Sequence, residues 1–329
     1  TRLPPASPAI GAGPVMPKGR KRRRKSSTTG AWCAPKKCGP TRRAAFVSRP
    51  SDSVLDYLRT QAGVIADRAD DVLVDAPDAV HRSRVATRRA RSALRTFAPL
   101  FTKGRLRRLR NELAWHADHL GAPRDAEVLK ERLLTRVNDL DDAEIAGPVR
   151  RRLGDALDAT HEHAHRSLVE SMGTERYAAL RANLADFVAD PPLRKDGRRA
   201  TRDRLVDLLD GAIDRVRRLE ARAAEIGDDA HRWHEVRKAA KAARYCSEAL
   251  VPVLGDHGEQ LLRAWEAVTE ALGEFQDTVV AESYLATAAV RAREAGEPAD
   301  TYLELVLVEL QSRDEALALG REALAAALT

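Results

Sequence analysis

Apolar residues recur at helical spacing along most of the chain beyond residue 50. In the first such segment the spacing predicts a helix that runs to about residue 74, with Ser53 as its N-cap. A second helix is predicted from about residue 78 to residue 98, because Pro99 is tolerated only near a helix end. Every later segment has the same period, so the sequence predicts an all-α fold. The aromatic content of 4% suits helix packing by Ala and Leu better than a β-sandwich.

Glycine and proline residues divide this helical pattern. Gly121 and Pro123 predict a turn between a helix at about 104–119 and a helix that ends near residue 138. Asp125 is predicted to cap the later helix, a role that we prefer to a catalytic one for this carboxylate. Pro-Pro and Gly in segment 190–199 predict the boundary between two halves of one domain. The halves span about 51–190 and 199–329, and the second contains predicted helices at about 201–226, 229–251, 256–272, 277–295 and 299–328.

A long cationic segment follows the first predicted helix. Residues 80–111 contain eleven Lys or Arg residues and no Asp or Glu. At about 100° per residue, five basic side chains fall within an arc of roughly 80°, opposite an apolar face. These five are His81, Arg84, Arg88, Arg91 and Arg95. The basic surface is predicted to continue along the next helix through Arg105, Arg107, Arg108 and Arg110.

The same pattern returns about 150 residues later in the chain. His234, Arg237, Lys241 and Arg244 repeat the offsets 0, 3, 7 and 10 of the first basic stripe. Two further motifs also correspond, since Leu120, Gly121 and Asp125 are matched by Leu272, Gly273 and Asp277. The sequence therefore predicts an internal repeat of a basic helix, a second helix, a Leu-Gly stop, an Asp cap and a third helix.

These repeated motifs resemble the CHAD domain, a conserved-histidine α-helical domain that binds inorganic polyphosphate. The resemblance covers roughly residues 51–329 and is most specific in the two His-x-x-Arg-x-x-x-(Arg/Lys)-x-x-Arg stripes and the Leu-Gly-x-x-x-Asp motifs that follow them. It implies two pseudo-symmetric antiparallel helical bundles with polyphosphate bound along a basic groove. Gln276 stands where the first half has Arg124, which puts an anion contact from that loop in doubt in the second half.

The resemblance and the stripes together assign a polyphosphate-binding role to twelve residues. They are His81, Arg84, Arg88, Arg91, Arg95, Arg108, Arg124, His234, Arg237, Lys238, Lys241 and Arg244. Arginine forms bidentate hydrogen bonds to phosphate oxygens, whereas lysine adds a flexible point charge. Residues one helical turn apart rise about 5.4 Å, so a stripe is able to follow the charges of an extended polymer.

The two histidines at the heads of the stripes have two possible roles. A protonated imidazole donates to phosphate oxygens, and nearby anions favour that form. The alternative is a histidine that satisfies a buried backbone carbonyl, which is the commoner role for this residue type. Because His81 and His234 head both stripes, we prefer a binding role for them.

Net charge separates the first fifty residues from the remainder. Residues 1–50 contain thirteen Lys or Arg residues and no acidic ones, which leaves 43 basic against 49 acidic residues in the rest of the chain. Pro, Gly, Ser and Thr surround the basic run, so we predict a disordered basic tail. It either attracts polyanions such as nucleic acid or is an extension without a role. The remainder has a net charge of −6, so its cationic stripes are local features.

Nucleic acid is the main alternative ligand, since phosphate contacts dominate its affinity as well. Single-strand binders set aromatic side chains among the basic ones, and Tyr245 is the one aromatic residue within either stripe. Another alternative is an accessory module of an enzyme that metabolises phosphate or polyphosphate, because relatives of this type are often fused to triphosphate tunnel metalloenzymes. The Glu-x-Glu-x-Lys metal motif of those enzymes is missing from this sequence. We therefore predict a binding module that is not an enzyme.

The remaining reactive residues do not form a recognisable catalytic or metal motif. His161, His163 and His165 alternate at a two-residue spacing, which places successive imidazoles about 200° apart on a helix and predicts solvated or lightly packed side chains over a metal site. The three cysteines lack a zinc pattern or disulfide framework. No apolar run is long enough to span a membrane.

We expect that the protein needs no cofactor and is located in the cytoplasm. The family resemblance implies an association with polyphosphate granules there.

Overall fold

A computed structural model of the chain describes residues 49–141, 145–226 and 229–329. Within these ranges the backbone forms ten α-helices and no strand, which confirms the all-α class. The helices are α1 Pro50–Asp67, α2 Ala69–Leu73, α3 Ala79–Thr96, α4 Lys103–Asn138, α5 Val149–Met172, α6 Glu175–Ala189, α7 Arg202–Ile226, α8 Ala230–Leu254, α9 Asp256–Glu294 and α10 Asp300–Leu328. The predicted disordered tail lies outside the described residues, apart from residues 49 and 50.

The start of α1 differs from the prediction. The helix begins at Pro50, a residue whose fixed φ suits the first helical position. Ser53 is therefore inside the helix rather than at its N-cap, and its buried hydroxyl donates to the backbone carbonyl of Ala249 in α8. This contact joins the first helix to a helix of the second half.

The interiors of α4 and α9 also correct the predicted boundaries. Gly121 and Pro123 lie within α4, and Gly273 lies within α9, so none of them stops a helix. Asp125 and Asp277 accordingly cap no helix. Four predicted helices are thus two long ones of 36 and 39 residues.

Tertiary packing explains why α4 continues through a proline. An interior proline costs about 3 kcal/mol, because it removes a hydrogen bond and clashes with the preceding turn. Full burial of a leucine side chain contributes about 1.5–3 kcal/mol, and Leu120 and Leu133 are completely buried on either side of Pro123. The carbonyl of Pro123 also lies 3.1 Å from His161 Nδ1 of α5. These contacts offset the local cost of the proline.

The apolar residues form three clusters that the long helices connect. The first lies between α1, α3, α6, the N-terminal part of α4 and the C-terminal part of α8. A second surrounds Trp233 and Trp265, and a third contains Leu133, Leu285 and Leu305. Helix α4 contributes to the first and third clusters, and α9 contributes to the second and third. Residues from both predicted halves therefore share the first and third clusters.

The two basic helices, α3 and α8, pack against each other. Helix α3 buries Ala86 and Ala90 in the first apolar cluster, whereas α8 buries Ala239, Ala240 and Ala243 in the second. Across the same contact, an ion pair of 3.0 Å joins Arg89 of α3 to Glu248 of α8. Glu248 also accepts a hydrogen bond of 3.1 Å from the hydroxyl of Tyr57 in α1.

The order of the helices fits the predicted internal repeat. In each half a basic helix, α3 or α8, is followed by a long helix, α4 or α9. Each pair packs closely, and the glycine of each Leu-Gly motif faces the basic helix. The division of the chain into two halves near residues 190–199 remains a prediction. Among the described residues, no helix is long and apolar enough to cross a membrane.

Candidate anion-binding groove

The two basic stripes line one cavity between α3, α4, α8 and α9. This cavity has a volume of about 670 Å³ and adjoins a second cavity of about 300 Å³. Arg88, Arg91, Lys238, Lys241 and Tyr245 line both. We call the two cavities together the basic groove. Eleven of the twelve residues predicted to bind polyphosphate line it: His81, Arg84, Arg88, Arg91, Arg95, Arg124, His234, Arg237, Lys238, Lys241 and Arg244.

The twelfth residue, Arg108, lies elsewhere. It is exposed on α4 and lines neither cavity, whereas Arg110 lines the smaller one. The sequence predicts one basic surface for residues 103–110, but successive residues of a helix point in different directions. The structure therefore separates Arg108 from the other predicted residues, whose binding role stays a prediction.

Sequence reasoning missed the α4 residues that form one wall of the groove. Asp118, Asp125 and Arg132 line it and are spaced seven residues apart. With Gly121 between them, they lie on one face of a continuous helix. The predicted turn at Gly121 hid this signal, because it divided α4 between two separate helices.

Each Leu-Gly motif is a site of close packing between a long helix and an arginine. A Cβ atom added at Gly121 would lie 3.8 Å from Arg84 Nη2, an ordinary van der Waals contact. The equivalent atom at Gly273 would lie only 3.2 Å from Arg237 Nη2. The glycine thus lets the guanidinium of Arg237 lie against the backbone of α9, while the adjacent Leu272 is fully buried.

The repeated aspartates face the arginines of the stripes. Asp125 Oδ1 accepts a hydrogen bond of 2.8 Å from Arg84 Nη1, and the aspartate side chain is 67% exposed. Asp277 is more enclosed, and burial raises its pKa while Arg237 and Arg132 act in the opposite direction. The first half therefore has a direct ion pair where the second half has only a nearby carboxylate.

Several other cations of the groove have acidic partners. Arg124 pairs with Glu127 at 2.8 Å, and Lys238 pairs with Glu235. Arg244 pairs with Glu266 and donates to Thr269 Oγ1 at 3.0 Å. Glu235 and Glu248 each hold a basic side chain, namely Lys238 and Arg89. These cations are compensated in the free protein.

Arg88, Arg237 and Lys241 form an uncompensated cluster at the centre of the groove. Among the residues that the structure describes, no carboxylate lies within ion-pair distance of any of the three. Arg237 Nε is also buried without a hydrogen-bond partner in that part of the chain. Burial lowers the pKa of both Arg88 and Arg237. The charge of Arg84 adds to this effect at both arginines, and Arg88 lowers the pKa of Arg237 further, while Asp277 acts in the opposite direction on Arg237. Partly desolvated like charges are unfavourable unless an anion is bound among them.

Lys241 responds most strongly to this environment. Burial and the positive charges of Arg237, Arg88 and Arg84 lower its pKa to about 6, with Asp277 acting in the opposite direction. The amine is therefore mainly neutral at pH 7 in the free protein. An anion placed among these groups would reverse the charge effect and favour the ammonium form.

The surroundings of the two stripe histidines favour the neutral imidazole in the free protein. Burial lowers the pKa of His81, and Arg124 lowers it further. Burial also lowers the pKa of His234, although its Nδ1 lies 2.7 Å from Gln276 Oε1. Gln276 thus orients His234 instead of contributing a charge. For His81 or His234 to donate from a protonated imidazole to a bound anion, as predicted, the histidine must take up a proton when the anion binds.

The histidines of α5 are more tightly held than predicted. His161 Nε2 lies 2.7 Å from Asp75 Oδ2, and His165 Nε2 lies 2.8 Å from the carbonyl of Val72. They connect α5 to α2 and to the turn that follows it, whereas His163 is exposed. Within the described ranges, no group of three His, Cys, Asp or Glu residues is placed to hold a metal ion.

These features define an all-helical domain in which two basic helices line one groove. Residues 56–286 match the family model of the CHAD domain, so the chain belongs to the CHAD family. This confirms the resemblance seen in the repeated motifs.

Similar proteins occur in bacteria and in a plant. The uncharacterized proteins Rv2226 and MT2285, from two strains of Mycobacterium tuberculosis, are each 32% identical over 242 residues, which is 72% of this chain and 45% of theirs. The chain thus spans less than half the length of these relatives. PptA from Streptomyces chartreusis is 25% identical, with a TM-score of 0.67 and coverage of 85% of this chain and 99% of that one. The CHAD domain from Ricinus communis shows the same fold at 24% identity, with a TM-score of 0.68 and coverage of 84% and 92%.

Proposed function

We propose that this chain binds inorganic polyphosphate along the basic groove and leaves the polymer intact. The observation that carries the proposal is the uncompensated cluster of Arg88, Arg237 and Lys241, which lies where the two stripes meet. Its cations lack acidic partners in the described part of the chain, so a polyanion supplies the charge that the protein does not. The association of the CHAD family with polyphosphate gives independent support.

The shape and chemistry of the groove favour a linear polymer of phosphates. Guanidinium groups donate paired hydrogen bonds to phosphate oxygens, and the groove contains them on both walls. Successive residues of each stripe are separated by about one helical turn, or about 5.4 Å. Because the same cations line two adjoining cavities, several phosphates along one chain contact the groove together.

Two features favour binding without catalysis. Asp125 is engaged by Arg84, and the charge of Asp277 acts on Arg237 without forming an ion pair with it. Proton transfer in catalysis needs a base within reach of a reacting group and free to accept the proton. The groove instead offers permanent positive charge, which stabilises a bound anion.

Nucleic acid is less well supported as the ligand. Stacking of bases requires aromatic faces open to the groove. Tyr245 lines the groove, but the guanidinium of Arg89 lies 5.8 Å from its ring centroid, and the side chain is largely buried. A ligand that presents phosphates without bases fits these contacts better.

The greater length of the Mycobacterium relatives favours a second, compatible role. Because this chain spans 45% of their length, the CHAD domain is one part of a larger protein in those cases. We extend the proposal to a binding module that brings attached or associated partners to cytoplasmic polyphosphate granules. A fluorescently tagged chain should then colocalise with the granules and become diffuse when the groove is mutated.

A charge-matched pair of variants tests the proposed ligand. Changing Arg88, Arg237 and Lys241 to Ala removes three cations from the groove, and changing Arg22, Arg23 and Arg24 to Ala removes three from the N-terminal segment. The groove variant should lose roughly three orders of magnitude in polyphosphate affinity, at about 1.5 kcal/mol for each charged contact, and its salt dependence should become shallower. The other variant should bind nearly as the natural chain does.

Filter binding of labelled polyphosphate, with single-stranded DNA of equal charge as competitor, provides the measurement. Electrophoresis of the recovered polymer shows whether it has been shortened. Equal losses in the two variants, or a preference for DNA in the natural chain, would contradict the polyphosphate proposal. Shortening that survives repurification of the protein would contradict binding without catalysis.

A further inference from the structure

Lys241 is unusual in a domain that uses arginine for nearly all its positive charge. Residues 51–329 contain five lysines, Lys103, Lys130, Lys195, Lys238 and Lys241, against 38 arginines. Arg88 occupies the equivalent position of the first stripe. Arginine remains protonated in proteins, whereas a buried lysine readily becomes a neutral amine. The second stripe therefore places the one type of cation that is also a nucleophile at the centre of the groove.

The surroundings of Lys241 come from three helices. Arg84 and Arg88 approach from α3, Arg237 lies one turn away on α8, and Asp277 faces it from α9. The amine is only partly exposed and forms no ion pair within the described residues. Lys238 lines the same groove, but its Nζ is held by Glu235. Lys241 is thus the lysine of the groove that has an unpaired amine next to anion-binding guanidinium groups.

We propose that Lys241 is an acylation site for small acyl phosphates, which the guanidinium groups of Arg88 and Arg237 draw into the groove. An acyl phosphate combines a dianion that these groups attract with a carbonyl carbon that an amine attacks. The inference rests on the proposed function only in taking the groove to bind phosphate. The lowered pKa of Lys241 supports it, because the neutral amine is the reactive form. A bound dianion raises this pKa, but a pKa that stays below that of an ordinary lysine still leaves a larger neutral fraction than the exposed lysines have.

The reaction balances without any further reactant. The lone pair of Lys241 Nζ attacks the acyl carbon, so that a carbon–nitrogen bond forms and the bond from carbon to the phosphate oxygen breaks. One amine proton leaves with the phosphate as hydrogen phosphate, and nothing is oxidised or reduced. The guanidinium groups stabilise the negative charge of the departing phosphate. The product is a neutral amide, so acylation removes one potential cation from the polyphosphate groove.

Acetyl phosphate is a suitable probe for the intact chain. After brief incubation at about pH 7.5, peptide mass spectrometry gives the acetylated fraction of each lysine. The exposed Lys103 and Lys195 serve as references within the same molecule. Lys241 should react roughly tenfold faster than either reference, since its larger neutral fraction outweighs the weaker nucleophilicity of a less basic amine. Excess polyphosphate should suppress acetylation at Lys241 and leave the references unchanged.

A second variant tests the role of the guanidinium groups. Arg88→Gln should reduce acetylation at Lys241 at least severalfold, because it removes one phosphate contact, while the references react as before. Lys241 reacting no faster than Lys103 and Lys195 would overturn the inference, as would selective reaction that polyphosphate fails to suppress although the polymer binds. Polyphosphate binding by the untreated chain is measured in parallel. Absence of that binding contradicts the proposed function, whereas bound polymer with unselective acetylation contradicts only the acylation of Lys241.

Discussion

The two walls of the basic groove share one residue pattern but differ in how their charges are balanced. In the first half, Arg84 forms an ion pair with Asp125 at 2.8 Å. In the second half, Arg237 has no ion pair within the described residues, and its Nε is buried without a partner. The repeated motif therefore produces a compensated arginine at position 84 and an arginine without an ion pair at the equivalent position 237.

The two stripes also differ in whether a basic side chain at the same position changes its protonation state near neutral pH. Arg88 of the first stripe stays protonated, whereas Lys241 at the equivalent position has a pKa lowered to about 6. Arg124 of the first half corresponds to Gln276, which orients a neutral His234. The two stripes therefore differ at this one position, where the first has a permanent cation and the second has a side chain that titrates.

The largest expected effect comes from removing the equivalent arginines one at a time. Arg237→Ala should weaken polyphosphate binding by about 1.5–3 kcal/mol, or roughly 10- to 100-fold, because its charge is available to the ligand. Arg84→Ala should have a smaller effect, since Asp125 already compensates that guanidinium. Isothermal titration calorimetry at fixed ionic strength provides the comparison.

Thermal unfolding of the same two variants supplies a control. Arg237→Ala relieves repulsion within a partly desolvated cluster, so its melting temperature should equal or exceed that of the natural chain. Arg84→Ala loses an ion pair and should be slightly less stable. Equal binding losses from both variants would show that the ion pair with Asp125 does not distinguish the walls.

A pH series should show the next largest effect. If bound phosphate raises the pKa of Lys241 above its free value of about 6, the complex takes up a proton. Affinity should then rise as the pH falls from about 8 towards 6, by up to about tenfold per pH unit for one proton, and level off below the free pKa. Lys241→Arg should flatten the profile, and the reciprocal Arg88→Lys should steepen it.

The stripe histidines contribute to the lower part of this pH range. Both have a pKa below the usual value of 6.5, so their protonation in the complex would extend the rise in affinity to lower pH. Changing His81 and His234 together to Gln should remove that extension and retain the component that depends on Lys241. A profile unchanged by the double substitution would assign the histidines to packing.

Helical periodicity was sufficient to predict the fold class and the stripes, because it reports directly which face of a helix is apolar. It was misleading at Gly121, Pro123 and Gly273, where local turn propensity indicated stops. Whether a helix continues through such residues depends on what both of its ends bury, and residues such as Leu133 contact α5, α9 and α10 from distant parts of the sequence. That information is not local, so it was not available from periodicity.

Charge compensation was equally inaccessible from the sequence. Asp125 and Asp277 occupy equivalent positions, yet only Asp125 lies within ion-pair distance of the arginine that it faces. The difference depends on side-chain direction and burial, which equal spacing does not specify. The sequence shows that residue 241 is a lysine. Its lowered pKa follows from burial and from the three arginines that the fold places around it.

The smallest expected effect comes from the two glycines that face the stripe arginines. Alanine is favoured over glycine inside a helix by about 0.5–1 kcal/mol. At Gly121 the new Cβ atom would make ordinary contacts at 3.7 Å and 3.8 Å, so Gly121→Ala should stabilise the fold and leave binding unchanged. At Gly273 the same atom would meet Arg237 Nη2 at 3.2 Å and displace the guanidinium by a few tenths of an ångström. Gly273→Ala should therefore gain less stability and weaken polyphosphate binding severalfold, as measured by denaturant unfolding and calorimetry. A binding loss in Gly121→Ala equal to that in Gly273→Ala would show that the closer packing of Arg237 has no role in placing its charge.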